Sequence, residues 1–70
     1  MKNWVRVERA KREMTQDDLA KAMGVSRDAI SAIETGRYEA NVGFAIKIAR
    51  YFGKKVEELW FPSDEDIPKY

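Results

Sequence analysis

Apolar residues recur along the first sixty positions at intervals of three and four, the spacing of one face of an α-helix. The series runs Val7, Ala10, Met14, then Leu19, Ala20, Met23, then Ala29, Ile30, Ile33, then Ala45, Ile48, Ala49, Phe52. No stretch in the middle of the chain alternates with period two, so helices are expected there rather than strands. The capping and breaking residues divide the series at the same places. Thr15 is placed to cap a helix running to about Met23, with Asp17 and Asp18 in its positive first turn. Gly24 permits a tight turn, Ser26 caps a helix that Gly36 stops near Thr35, and Asn41 caps a helix ending at Gly53. A last short helix is expected from Val56 to about Trp60. Proline occurs only at Pro62 and Pro68, so the strongest helix breaker is confined to the end of the chain.

Between Gln16 and Thr35 the pattern describes two short helices joined by a few residues around a glycine, a helix-turn-helix. Counted from Gln16, Ala20 is fifth, Gly24 ninth, Val25 tenth, Ile30 fifteenth and Ile33 eighteenth. Ala20 is small enough to let the two helices cross closely, and Gly24 supplies the positive φ of the turn. Leu19, Ile30 and Ile33 fill the wedge between the helices. Ser26, Arg27, Asp28 and Ser31 then open the second helix on the opposite, outward face, where a recognition helix presents its first turns to the major groove.

The chain has 70 residues, room for one small core. It contains no cysteine and no histidine. Disulfides, thiol nucleophiles, imidazole bases and ordinary zinc or haem sites are therefore excluded, and any metal would need carboxylates alone. No spacing suggests a nucleophile with its base, and no glycine-rich loop could cradle a nucleotide. Neither an enzyme nor a cofactor, metal or small-molecule ligand is expected. No apolar run approaches the roughly 20 residues that span a bilayer, and the start, Met1-Lys2-Asn3-Trp4, lacks the apolar segment of a secretory signal. A cytoplasmic protein without membrane contact is expected.

The net charge of +1 hides an asymmetry: residues 1–55 hold twelve Lys/Arg against seven Asp/Glu, whereas residues 56–70 hold one against five. A basic body of +5 is followed by an acidic end of −4. The division expected is a helix-turn-helix domain over residues 1–61 and an acidic tail over residues 62–70.

The segment Thr15-Gln16-Asp17-Asp18-Leu19-Ala20-Lys21-Ala22-Met23-Gly24-Val25-Ser26-Arg27, followed by Ile30-Ser31-Ala32-Ile33-Glu34-Thr35-Gly36-Arg37-Tyr38, resembles the phage repressor/Cro-type family of helix-turn-helix regulators, also called the xenobiotic-response-element family. The resemblance covers about residues 4 to 61. It implies an all-α, five-helix, lambda-repressor-like domain that binds operator DNA as a homodimer. It further implies that Gln16 holds a phosphate and braces the start of the recognition helix, and that Arg27 and Asp28 face base edges. Thr35, Arg37, Tyr38 and Asn41 would approach the backbone, and Arg9 and Glu34 would form a structural ion pair. Two departures stand out. Ala40 takes the place of a common proline before the fourth helix. Lys54 and Lys55 replace the usual apolar residue and Ser/Thr cap, which leaves the start of the fifth helix open or adds two cations to a basic rim.

Arg27 is the strongest candidate for base reading, since a guanidinium matches guanine O6 and N7 with two parallel hydrogen bonds. Asp28 admits two readings, an acceptor for cytosine N4 or a carboxylate that steadies the positive end of its helix. Ser26 is a cap first and a DNA contact second, and Ser31 reaches a base or solvent. Trp4, Trp60 and Phe61 lie near the chain ends. With Tyr51 and Leu59, which also suit the core or its edge, they are assigned to a twofold contact with a second copy, built on the fourth and fifth helices with short extended segments at Lys2 to Val5 and Trp60 to Pro62; the alternative is that Trp4 and Trp60 close the core of a single copy. The function expected is a sequence-specific transcriptional regulator, a repressor, that binds an inverted repeat in double-stranded DNA. The alternative is an antitoxin or protein-interaction module of a two-component operon.

Overall fold

The computed structural model describes residues 2–62. The expected acidic tail therefore lies, from residue 63 onward, outside the described residues. Five helices lie between two short strands: β1 (Lys2–Asn3), α1 (Val5–Lys11), α2 (Gln16–Met23), α3 (Arg27–Thr35), α4 (Val42–Phe52), α5 (Val56–Leu59) and β2 (Trp60–Phe61).

Each central helix begins where a side-chain oxygen replaces a missing backbone acceptor. At α2 the exchange is reciprocal: Asp18 N donates to Thr15 Oγ1 at 3.0 Å and Thr15 N donates to Asp18 Oδ2 at 2.9 Å. Ser26 Oγ accepts from Ala29 N at 3.1 Å, and Asn41 Oδ1 accepts from Phe44 N at 2.8 Å. Lys55 has no acceptor to offer at the start of α5, so the helix is closed from the other side, Glu58 Oε1 accepting from Lys55 N at 2.8 Å. The helix-turn-helix turn passes through Gly24 at φ 75°, in the left-handed region that glycine enters without a Cβ penalty.

Val5, Leu19, Ile30, Ile48 and Leu59 are fully buried and bring all five helices onto one core, with Ile33, Ala49 and Phe52 completing it. On α1 the apolar spacing misleads. Val7 and Ala10 are exposed, and the helix instead turns Val5 and Glu8 inward. Trp4 N donates to Leu59 O at 2.8 Å, which fixes the rotation of α1 against α5. Glu8 tolerates that side because Arg12 Nη1 meets its Oε1 at 2.9 Å.

The two strands pair antiparallel within the chain, Lys2 opposite Phe61 and Asn3 opposite Trp60. The extended segments expected at the two chain ends are thus strands of one ribbon within the chain. Alternation places Lys2 and Phe61 on the outer face of the ribbon, where Phe61 meets Trp4 with ring centroids 5.2 Å apart. Asn3 and Trp60 take the inner face. Trp60 is extended rather than helical and is buried, as is Leu59, so neither has appreciable surface left for a second chain. Trp4 and Tyr51 remain about half exposed and Phe61 partly so.

Candidate nucleic-acid interface

Ala20 is buried where α2 and α3 cross, and the small side chain allows the close approach. The crossing turns the opposite face of α3 outward. Arg27, Asp28 and the capping Ser26 stand exposed at its first turn, with Ser31 partly covered one turn on. Arg27 and Arg37 form no ion pair among the described residues, which leaves both guanidinium groups available for an anionic partner. Asp28 is not paired with Arg27 and sits in the first turn of α3, favourably placed for the helix dipole.

The far end of α3 is held by a carboxylate. Glu34 receives Arg9 Nε at 2.8 Å on Oε2, and Arg9 Nη2 at 3.3 Å and Gln16 Nε2 at 3.1 Å on Oε1. Arg9 Nη1 also donates to Met14 O at 2.7 Å, so one guanidinium joins α1, the loop before α2 and α3. The side chains are 14% and 3% exposed for Arg9 and Glu34, so the pair lies under the surface rather than on it. Gln16 reaches Glu34 near the end of α3, not the start of that helix as the resemblance implied.

Of the residues assigned to phosphate, two besides Gln16 have prior engagements. Asn41 uses Oδ1 to cap α4, leaving its NH2 group for a phosphate. Thr35 Oγ1 donates to Ser31 O at 3.0 Å, so its hydroxyl can only accept from outside. Tyr38 and Arg37 are exposed on the loop after α3, where Tyr38 N donates to Ala32 O at 3.1 Å and closes the end of the helix.

Three positioning residues escape a reading of the sequence. Lys47 Nζ donates to Met23 O at 3.0 Å, so this cation caps the end of α2. Asn3 Nδ2 donates to Ile33 O at 2.9 Å, across thirty positions of sequence. Arg12 donates through Nη2 to Phe52 O at 2.8 Å and lies over the Phe52 ring at 4.7 Å, fastening α1 to the end of α4. Only the Glu8/Arg12 spacing of four is a visible signal, a helical ion pair. The Arg12 guanidinium holds the Glu8 carboxyl below the ordinary carboxylate range, and the Thr15 backbone N–H does the same for Asp18.

No helix among the described residues is long and apolar enough to cross a membrane. The helix-turn-helix family model matches residues 5–59. An uncharacterized HTH-type transcriptional regulator of Methanocaldococcus jannaschii is 46% identical over 66 residues, covering 94% of this chain and all of that one. Another from Archaeoglobus fulgidus is 42% identical over 67 residues, or 96% of each chain. A Bacillus subtilis protein of the same description is 35% identical over 66 residues, 94% of this chain and all of its own. With an exposed, capped α3 set against α2 in this geometry and relatives alike over nearly their whole length, the chain belongs to the Cro/C1-type helix-turn-helix family, a non-enzymatic class of DNA-binding transcriptional regulators.

Proposed function

We propose that the protein is a sequence-specific repressor that binds an inverted-repeat operator as a homodimer, with α3 in the major groove. The observation that carries this reading is the exposed Arg27, unpaired among the described residues, at the first turn of a helix fixed at both ends, by Ser26 at its start and by Glu34 at its close. A base-reading side chain needs such a rigid mount, because hydrogen bonds to a base edge tolerate little displacement. Arg37 and Tyr38 on the adjoining loop, with the Gln16 amide, form the phosphate-facing rim. Two copies would set their recognition helices about 34 Å apart, one turn of DNA. The half-exposed Trp4 and Tyr51, with Phe61, supply apolar surface for the second copy, and the protein acts in the cytoplasm. In vitro selection from a randomised duplex pool tests the reading: a palindromic motif with half-sites one turn apart is expected. Recovery of no motif overturns it. Sedimentation equilibrium at tens of micromolar checks the dimer, and a monomer unchanged by added DNA removes that part.

A further inference from the structure

The terminal ribbon and the end of the recognition helix face each other across an open cleft of about 540 Å³. Among the described residues one hydrogen bond links the two, from Asn3 Nδ2 to Ile33 O. The opposite end of the same amide, Asn3 Oδ1, accepts from Val5 N at 3.1 Å. The orientation is fixed by chemistry, since a carbonyl can only accept and a backbone N–H can only donate. Behind Asn3 the mount is stiff: its strand partner Trp60 is buried, Val5 and Leu59 are fully buried, and Trp4 N is bonded to Leu59 O. Ile33 O is one of the carbonyls that the end of a helix leaves without an intrahelical partner, and Gly36 N at 3.2 Å is its other donor.

We propose that Asn3 is a positioning residue for base recognition: it ties the carboxyl end of α3 to the ribbon and thereby sets where Arg27, two turns away on the same rigid helix, meets a base edge. This rests on the reading of α3 as the recognition helix. Glu34 restrains the helix from the α1/α2 side and Asn3 from the ribbon side, so α3 is held between two anchors that share no residue. Loss of the Asn3 tie leaves the phosphate-facing groups in place and loosens the register of the base-reading ones.

The test uses the full chain, the duplex recovered by in vitro selection, and a random duplex of equal length. Asn3→Asp keeps the acceptor for Val5 N and removes the donor to Ile33 O. Asn3→Ser does the same without a charge, its shorter hydroxyl reaching only the near N–H. Both variants are expected to lower the ratio of specific to random affinity about five- to tenfold, the worth of one such hydrogen bond. In the uncharged Asn3→Ser, random-duplex affinity and salt slope stay at wild-type values, and in both variants the Ile33 carbonyl 13C resonance shifts. A folded variant, judged by thermal melting, with a wild-type ratio overturns the proposal, as does an equal loss on both duplexes. A wild-type chain without sequence preference overturns the functional reading as well, which separates the two failures.

Discussion

Arg9 closes on Glu34 edge to edge, Nε on one carboxylate oxygen at 2.8 Å and Nη2 on the other at 3.3 Å. The geometry joins α1 to the end of α3 under a surface that leaves Glu34 almost no solvent. Breaking it from one side strands a charge. Arg9→Ala is expected to cost about 3 kcal/mol, the low end for a buried pair because Arg9 keeps some solvent. Replacing both partners with apolar residues, Arg9→Met with Glu34→Leu, is expected to recover part of that loss. Urea unfolding of Arg9→Met, Glu34→Leu and the double variant measures the coupling.

Two glycines are expected to respond in opposite directions to the same substitution. Gly24 sits at φ 75° with open space where a methyl group would stand, so Gly24→Ala meets backbone strain alone and loses about 1 kcal/mol. Gly43 lies in the first turn of α4 at an ordinary helical φ, and an added Cβ would meet only Asn41 Oδ1 at 3.5 Å. Gly43→Ala therefore gains about 0.5 kcal/mol from the lower entropy of its unfolded chain. Thermal melting of the two variants reads the sign directly.

Acid sensitivity follows from Glu8 and Asp18, whose carboxyls are held below their ordinary range in the folded chain by the Arg12 guanidinium and the Thr15 N–H. A depressed folded value means that the unfolded chain binds protons more readily. Their contribution is complete above the ordinary carboxylate range and is lost as pH falls through the lowered values. The urea midpoint is expected to stay level from pH 7 to about pH 5 and to decline below about pH 4. Glu8→Gln removes one of the two groups, so its decline is shallower; a slope equal to wild type would show that Glu8 carries no share.

On DNA, Arg27→Ala is expected to relax base preference at one position by about 1–3 kcal/mol while leaving the salt slope alone. Arg37→Ala is expected to weaken all duplexes alike and to reduce the slope of log K against log salt by about one. Fluorescence anisotropy over a salt series separates the two roles, and the reverse pattern would exchange them.

The central helices are legible in the sequence because their signals are local. Thr15, Ser26 and Asn41 act on backbone groups within three residues, and Gly24 and Gly36 answer to their own φ. The helix-turn-helix spacing adds a packing constraint that repeats along the chain, from Leu19 and Ala20 to Ile30 and Ile33. The inward face of α1 is hidden for the opposite reason. It carries Glu8, whose burial depends on Arg12, so apolar periodicity points to Val7 and Ala10 instead.

The sequence by itself determined the boundaries of the central helices, the turn, the outward face of α3 and the basic character of residues 1–55, because each depends on neighbours within a turn or two. Tertiary structure decided what depends on distant partners. It paired the two chain ends into one ribbon, turned Leu59 and Trp60 inward, moved Gln16 to the Glu34 clamp and gave Asn3 and Lys47 carbonyls far along the chain. A polar side chain in a sequence shows what it can donate or accept. Which backbone group is waiting for it is known only after the helices have packed.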